Sequence, residues 1–343
     1  MSNRFDGWLE ADGPVALVIR EYLDPVSGPG AVFFPPTFAP PEDQKGEKPS
    51  YVIDENKVCL VDSVGSQGNR LEPLFKRPGY AALVPQVMIV VGERKVNLLD
   101  AGHRAADAIV RFSGLWPELK KAFLAYRDQG DARQMAQIAP TSLVFGAWDS
   151  RDTQAKIPRL VESTIRAYGV ERLTRSAQYN GSVGKDDLSD EYPQDFLSGQ
   201  GMADSPSGRA PGGVIARDGI RREATLNLIA LRALGAGSNE ETRKLQRYIL
   251  GLALIAFLAP AELYLRQGCL LVGSQEKLPE KTAVRRDGSR EILTLAEPEA
   301  VSFAGLAAAE FNVGASREVA FDPDVVKKAF EDGQKKDKKK GKK

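Results

Sequence analysis

The chain has 343 residues, 42% of them hydrophobic and 27% charged, which is the composition of a globular protein with a sizeable buried core. Two cysteines and one histidine are too few for a zinc site or for a mechanism that needs paired histidines. The net charge of +1 includes the segment 335–343, whose seven lysines and one aspartate give +6, so the remainder carries about −5. A nucleic-acid-binding footprint outside this segment has to be local.

The first residues show no secretory signal, and the most apolar run, Ile249–Leu265, contains Pro260 and Glu262. Because a membrane span needs roughly 20 apolar residues, this run predicts a buried helix. Two cysteines without a C-x-x-C motif suit a reducing compartment. We therefore expect a cytoplasmic protein with no membrane partner.

The amino-terminal half predicts strands from short runs of β-branched and aliphatic residues, and helices from apolar spacing. A Pro- and Gly-rich excursion after Leu23 predicts a long loop. The predicted strands are Pro14–Tyr22, Lys57–Val64, Val84–Val91, Val96–Ala101 and Thr141–Trp148. The predicted helices are His103–Phe112 and, within Trp116–Ala139, either a helix pair or one long interrupted helix.

The carboxy-terminal half begins with residues 159–180, where strand alternation and turn signals mix and no element is assigned. Hydrophobic periodicity is then lost from Gly181 to Gly213, which predicts a loop long enough to be either functional or disordered. Beyond it, the patterns predict helices at Ile220–Leu234, Glu240–Leu258 and Glu297–Glu310, a strand at Cys269–Ser274 and a charged hairpin at Lys277–Leu295.

Strands and helices follow one another without a regular βαβ alternation, which favours the α+β class. No internal repeat is present. We expect one elaborated domain over residues 1–330, with insertions near 24–56 and 181–213, and a flexible basic tail at 331–343.

Enzyme motifs are missing. There is no G-x-S-x-G nucleophile elbow, no phosphate-binding P-loop and no H-x-E with a cysteine pair. Carboxylates are plentiful but scattered, as on a solvated surface, and a metal nuclease built from them is not favoured. We expect no catalytic residue, no metal and no cofactor. The scattered carboxylates are Asp62, Asp100, Asp107, Asp149 and Asp152.

The stretch LVDSVGSQGNRLEPLFKR, Leu60–Arg77, combines small residues with hydrogen-bond donors. Backbone amides of a Gly/Ser-rich turn at a helix start bind anions, and arginine adds a planar charged donor. Such chemistry suits a phosphodiester backbone whose sequence is not read. The alternative is a tight turn in which Arg70 forms a surface ion pair with Glu72. The candidate donors are Ser66, Gln67, Asn69 and Arg70.

Two further stretches carry arginines near glycines or in polar loops, and each is equally compatible with an ordinary surface loop. GAWDSRDTQAKIPR contributes Arg151, Lys156 and Arg159. In GRAPGGVIARDGIRREATLN, Arg217 and Arg221 lie four residues apart and would share a helix face if the predicted helix extended that far back. The third set is Arg209, Arg217, Arg221 and Arg222.

Three blocks of the sequence resemble a known family. LVDSVGSQGNRLE from Leu60, HRAADA from His103, and Pro140–Asn180 are similar to signature blocks of the Cas-seven-type RAMP protein of type I-G (formerly I-U) CRISPR systems. The resemblance covers most of Val58–Asn180 and, more loosely, the segment after Ile220. It implies a modified RRM-like (ferredoxin-like) fold whose insertions form finger-like and thumb-like projections.

The resemblance implies a protein without enzymatic activity. Several copies would form a helical filament along the CRISPR guide RNA within a Cascade surveillance complex, together with a large subunit and a Cas-five/Cas-six-type subunit. Target DNA would pair with the guide RNA, and this base pairing rather than the protein would read the DNA sequence. The usual RRM aromatic signature is absent, which favours contacts to the RNA backbone over base stacking on the sheet.

The match implies guide-RNA contacts for Ser66, Gln67, Asn69 and Arg70, and less definite roles for His103 and Arg104. Arg151, Lys156 and Arg159 would contact the guide or the next copy, and the loop 181–213 would be the projection. Arg217, Arg221 and Arg222 depend on their chemistry alone. All twelve are predicted RNA-binding residues.

Two alternatives remain at this point. One is a metal-dependent ribonuclease of the same superfamily that uses Asp24 or the acidic segment Asp186–Asp195. The other is a structural protein without nucleic acid, whose arginines serve protein contacts.

Overall fold

The computed structural model describes residues 4–40, 42, 49–179, 192–202, 205–260 and 262–340. In chain order its strands are β1 Ala16–Pro25, β2 Cys59–Asp62, β3 Val87–Val91, β4 Arg94–Asn97, β5 Ala147–Trp148, β6 Lys156–Ile157, β7 Val161–Ala167, β8 Val170–Tyr179, β9 Ser205–Ala216, β10 Ile220–Asn227, β11 Tyr264–Arg266, β12 Cys269–Gly273, β13 Glu280–Val284, β14 Arg290–Ile292 and β15 Arg317–Ala320.

The helices are α1 Val64–Leu71, α2 Ala108–Arg111, α3 Trp116–Gln129, α4 Arg133–Ile138, α5 Thr141–Phe145, α6 Gln194–Gly199, α7 Leu228–Arg232, α8 Asn239–Leu258, α9 Glu297–Phe311 and α10 Pro323–Lys340. The predicted α+β class is therefore confirmed. Short 3-10 turns connect several of these elements, among them Arg104–Ala106 just before α2.

The main sheet is antiparallel in the order β12-β1-β10-β7-β2, with β11 beyond β12. Strand β13 also pairs with β1, along its first half, and β14 extends the sheet from β13. Since β1 and β7 both run antiparallel to β10, they are parallel to each other and β10 lies between them. This is the split βαβ arrangement of the ferredoxin-like fold, with helices between β1 and β7 and helix α8 between β10 and β12.

Two apolar clusters lie on the covered face of this sheet. The larger contains Leu17, Ile19 and most of α8, and the smaller contains Leu23, Cys59 and Cys269 under the excursion that follows β1. The two thiols are free and buried, and burial raises the pKa of each to about 12. Both cysteines therefore serve as packing residues rather than as nucleophiles.

The β8–β9 hairpin extends from the sheet between β7 and β10, with two register shifts along its length. The excursion after β1 packs at its base, where Phe33 exchanges backbone hydrogen bonds with Val214. The predicted loop 181–213 is thus wrong for 205–213, which belongs to β9. The glycines and prolines of this segment are typical of loops, so the sequence did not indicate a strand. Within the same predicted loop Gln194–Gly199 forms α6, and residues 181–191, 203 and 204 lie outside the described residues.

Three further predictions need correction or refinement. Thr141–Trp148 forms α5 and then β5 rather than one strand, because a fully buried five-residue run shows no period. Ile220–Leu234 begins as β10 and becomes helical only at Leu228. The alternation of β10 was missed because Arg222, a charged residue, occupies an inward-facing position. The tail predicted to be flexible at 331–343 is helical as far as Lys340, where it forms the end of α10.

A smaller sheet, β15-β3-β4, lies apart from the main one, with β15 parallel to β3. The predicted charged hairpin is confirmed as β13–β14. Among the described residues no helix combines the length and apolar character needed to cross a membrane.

The packing of α8 against α9 depends on one glycine. A Cβ added at Gly251 would lie 2.7 Å from the Cα and 2.9 Å from the Cβ of Ala304. Gly251→Ala should therefore lower the free energy of unfolding by about 1–3 kcal/mol despite its better helix propensity, because the helices must separate. Urea unfolding followed by circular dichroism measures this change.

Gly305→Ala is the matched control. This α9 glycine has no atom within 4 Å of an added Cβ, so the substitution should raise stability by about 0.5–1 kcal/mol. Equal changes in the two variants would contradict the close approach of α8 and α9.

Candidate nucleic-acid interface

Helix α1 is positioned by its cap and by one glycine. The Ser63 side chain accepts a hydrogen bond from the Ser66 amide, as an N-cap does. At Gly68 an added Cβ would lie 2.9 Å from Nη2 of Arg104, so the small residue here admits a neighbouring side chain. The helix exposes Asn69 and Arg70.

A chain of polar side chains, the polar seam, crosses the interior between the two apolar clusters. Gln67 donates to Asp62 (2.6 Å) and accepts from the Ser163 hydroxyl (2.8 Å). Arg222 donates to Ser163 (3.5 Å) and to Glu21 (2.5 Å). The seam consists of Glu21, Arg222, Ser163, Gln67 and Asp62.

Two predicted RNA contacts are therefore interior. Gln67 is 2% exposed and Arg222 is 1% exposed, and the hydrogen bonds of both go to other seam residues. Neither side chain can reach RNA without opening the sheet. Their role in this structure is to place α1 on β7 and β10.

Arg70 joins the seam to the surface. Its Nε donates to Asp62 (3.2 Å), and its Nη atoms donate to the carbonyls of Tyr264 (3.4 Å) and Leu265 (2.7 Å) in β11. Its alternative pairing with Glu72 is wrong, because Glu72 points inward. The side chain is still 37% exposed and separates two open pockets, one lined by Ser63, Ser66 and Arg266 among others, the other by Asn69, Arg77 and Tyr264 among others.

Arg104 is also interior, beneath the carboxyl end of α1. Its Nε lies 2.7 Å from the buried Glu72 carboxylate, and its Nη atoms donate to Asn69 (3.1 Å) and to the carbonyl of Gly146 (3.4 Å). Burial raises the pKa of Glu72 to about 7, opposed by Arg104, and burial also lowers the pKa of Arg104, opposed by Glu72. Arg104 is 6% exposed, so its predicted RNA contact would have to act through Asn69.

His103, one residue before Arg104, by contrast faces solvent. Its side chain is 85% exposed, with Nδ1 3.4 Å from the Asp107 carboxylate. The residue is therefore free to meet an anion from solvent.

The second predicted cluster lies next to α1. Arg159 donates from Nε to the carbonyl of Phe145 (3.2 Å), one residue from the carbonyl that Arg104 contacts. Arg151 and Lys156 are exposed on the β5–β6 hairpin that follows. We use the name α1 surface for the half-buried Ser66 together with the exposed donors of α1, the 103 turn and the hairpin segment, which are Asn69, Arg70, His103, Arg151, Lys156 and Arg159.

The third cluster does not join the α1 surface. Arg217 forms a bidentate pair with Glu171 (2.9 and 2.8 Å) at the base of the β8–β9 hairpin. Arg221 stacks on the Tyr168 ring, with its guanidinium carbon 3.6 Å from the ring centroid. The proposed shared helix face is wrong, since Arg221 lies in β10. The side chain of Arg209 lies outside what the structure describes.

Sequence reasoning missed the residues that support the α1 surface. Ser163 and Glu72 resemble ordinary polar residues in sequence, and β11 lies about 195 positions from Arg70. Tyr264 and Arg266 line the pockets beside Arg70 without any motif around them. Pairing across such distances leaves no local pattern.

The structure offers little to the nuclease alternative. Among the described residues, no group of three histidine, cysteine or carboxylate side chains could hold a metal ion. Asp24 lines an open cleft with Asp218 and Glu276, beside Arg217 and Lys277. Of the acidic segment, Asp195 is exposed in α6, and residues 186–191 lie outside the described part of the chain.

Comparison with known proteins gives one family. Residues 17–172 match the family model of CRISPR-associated protein GSU0053, which includes α1 and the β5–β6 hairpin. The match supports the predicted family over this part of the chain and does not distinguish its subtype. No curated protein sequence matches this chain. A solved chain titled "CRISPR RNA-guided surveillance complex, pre-nicking" is similar over 79% of this chain and 77% of its own, at 11% identity and a TM-score of 0.34, too weak a likeness to support an argument.

The buried Glu72–Arg104 pair yields a stability prediction. Glu72→Ala leaves a guanidinium buried without its anion, which should lower the free energy of unfolding by about 3–5 kcal/mol. The measurement is chemical denaturation at pH 7.5.

Glu291→Ala is its control. Glu291 pairs with Arg285 at 2.5 Å, but both side chains are exposed, so the loss should be too small to measure. A Glu72→Ala variant as stable as Glu291→Ala would show that the buried pair does not hold α1 in place.

Proposed function

We propose that this chain, whose residues 17–172 are those of a CRISPR-associated protein of the GSU0053 family, is a non-catalytic subunit that binds CRISPR guide RNA through the α1 surface. The observation that carries the proposal is that Arg104 links these segments: its guanidinium contacts Asn69 of α1 and the Gly146 carbonyl, and Arg159 donates to the neighbouring Phe145 carbonyl. His103 precedes Arg104, and the β5–β6 hairpin with the exposed Arg151 and Lys156 begins directly after Gly146. The twelve predicted contacts thereby reduce to the seven side chains of that surface.

The chemistry of the α1 surface supports RNA-backbone binding. Ser66 and Asn69 are neutral donors, and Arg70 presents part of a guanidinium whose other hydrogen bonds fix its orientation. Two carboxylates of the α1 region, Asp62 and Glu72, are buried and already paired. Phosphate and ribose are recognised by such donors without reading sequence.

The proposed assembly follows from the family rather than from any single contact. We propose that further copies of the chain bind along the same guide in a helical filament, within a Cascade complex that also holds a large subunit and a Cas-five/Cas-six-type subunit. The guide would present its bases to target DNA, so the protein itself needs no sequence readout. The β8–β9 hairpin is the projection that would reach a neighbouring copy.

The same proposal includes the domain organisation and the setting. Residues up to 330 form one elaborated ferredoxin-like domain with insertions near 24–56 and 181–213, and a basic segment follows at 331–343. Its place of action would be the cytoplasm, and the subtype I-G. No cofactor, metal or membrane enters the proposed role.

RNA content after purification tests the proposal. The chain expressed with a CRISPR array should carry RNA of uniform length, measured by the absorbance ratio and by gel analysis of the extracted nucleic acid. The Arg70→Ala variant should carry less RNA, or shorter RNA, at moderate salt. The substitution removes one phosphate contact and also the hydrogen bonds that anchor β11.

Two more variants separate binding from folding. Within the described residues no ion pair holds the Arg151 side chain, so Arg151→Ala should keep the fold and flatten the salt dependence of RNA binding by about one unit of slope. Arg285→Ala removes an exposed arginine from the β13–β14 hairpin and should leave RNA content unchanged. Wild-type protein free of RNA, or equal loss in all three variants, would refute the proposal.

A further inference from the structure

Trp148 is held out of the core on a two-strand hairpin. It pairs with Lys156 across β5 and β6, while the next pair, Ala147 and Ile157, is buried. The strand alternation therefore sends Ala147 inward and Trp148 outward. The indole is 60% exposed, an unusual position for the largest apolar side chain.

The hairpin loop is fixed rather than loose. The Asp149 carboxylate is fully buried and accepts hydrogen bonds from the amides of Arg151 (3.2 Å), Asp152 (3.2 Å) and Thr153 (2.6 Å) and from the Thr153 hydroxyl (2.7 Å). Burial alone would raise the pKa of Asp149, but these hydrogen bonds outweigh it and the pKa is lowered. The adjacent indole is thus presented by a rigid support.

A cation lies beside the exposed indole. The Lys156 ammonium is 5.9 Å from the ring centroid, within cation–π distance, and the hairpin loop also carries the exposed Arg151. Asp152 of the same loop is engaged by Lys120 (2.8 Å) and by the Trp116 indole (3.1 Å). The loop beside the indole is therefore polar.

We propose that Trp148 is a stacking platform for an unpaired nucleobase of the bound RNA, with Lys156 beside it to receive a phosphate of the same strand. The inference depends on the function proposed above and adds a contact that none of the predicted residues supplies. A nucleotide fits both features at once, since its base is a flat π surface and its phosphate an anion. A protein partner would instead call for further exposed apolar residues, and the exposed neighbours of Trp148 in the loop are Arg151, Asp152 and Gln154.

Tryptophan fluorescence with a short RNA tests this stacking. The other two tryptophans, Trp8 and Trp116, are half-buried, so quenching on titration with a ten-nucleotide oligouridine should come mainly from Trp148. Trp148→Phe should abolish most of the quenching and change the dissociation constant less than about threefold. Trp148→Ala should weaken binding about tenfold, measured by fluorescence anisotropy of labelled RNA.

Matched controls isolate the stacking contribution. Ile292→Ala removes a 90% exposed apolar side chain from β14 and should leave the dissociation constant unchanged. Thermal unfolding of each variant reports whether the fold is kept.

Each outcome decides between distinct conclusions. Wild-type binding with the same affinity in Trp148→Ala would refute the stacking and leave the proposed function intact. A Trp148→Ala variant that binds the short RNA normally but sediments as smaller assemblies on a long RNA would assign Trp148 to a contact between copies, and so refute the stacking as well. Absence of RNA binding by the wild type would instead refute the proposed function.

Discussion

A fully buried arginine sets the geometry of this fold. Arg222 lies between two apolar clusters, where an unpaired guanidinium would cost far more free energy than a hydrogen bond returns. Glu21 supplies the charge and Ser163 a hydroxyl, and that hydroxyl also orients Gln67 on α1. An interior electrostatic requirement thereby fixes the helix whose other face carries the exposed donors. Glu72 and Arg104 repeat the same principle at its opposite end.

Burial removes two carboxylates from the surface around α1. Asp62 is held by Gln67 and Arg70, and Glu72 is held by Arg104. The donors of α1 therefore face solvent without these two acceptors beside them. The near-neutral charge of the whole chain is therefore compatible with a strongly donating local surface, and it also lets copies of the chain approach one another with little repulsion.

Sequence reasoning reached the α+β class and the long helix α8, because both leave a signal in hydrophobic spacing. It failed at β10, where Arg222 breaks the expected pattern, and at β9, where glycine and proline suggested a loop. It could not separate the exposed from the buried members of the predicted clusters. Gln67 and Arg104 look like ligands in sequence and prove to be supports, since their partners lie 96 and 32 positions away.

The close approach of Gly68 to Arg104 constrains how this family can diversify. Arg104 is fixed by Glu72 and by the Gly146 carbonyl, so it cannot retreat from a methyl group placed 2.9 Å from its Nη2. Positions 68, 72 and 104 should therefore evolve as a set. Homologues with alanine or serine at 68 are expected to carry a shorter residue at 104 and to lose the acid at 72 with it, which would appear as a three-way covariation in an alignment of the family.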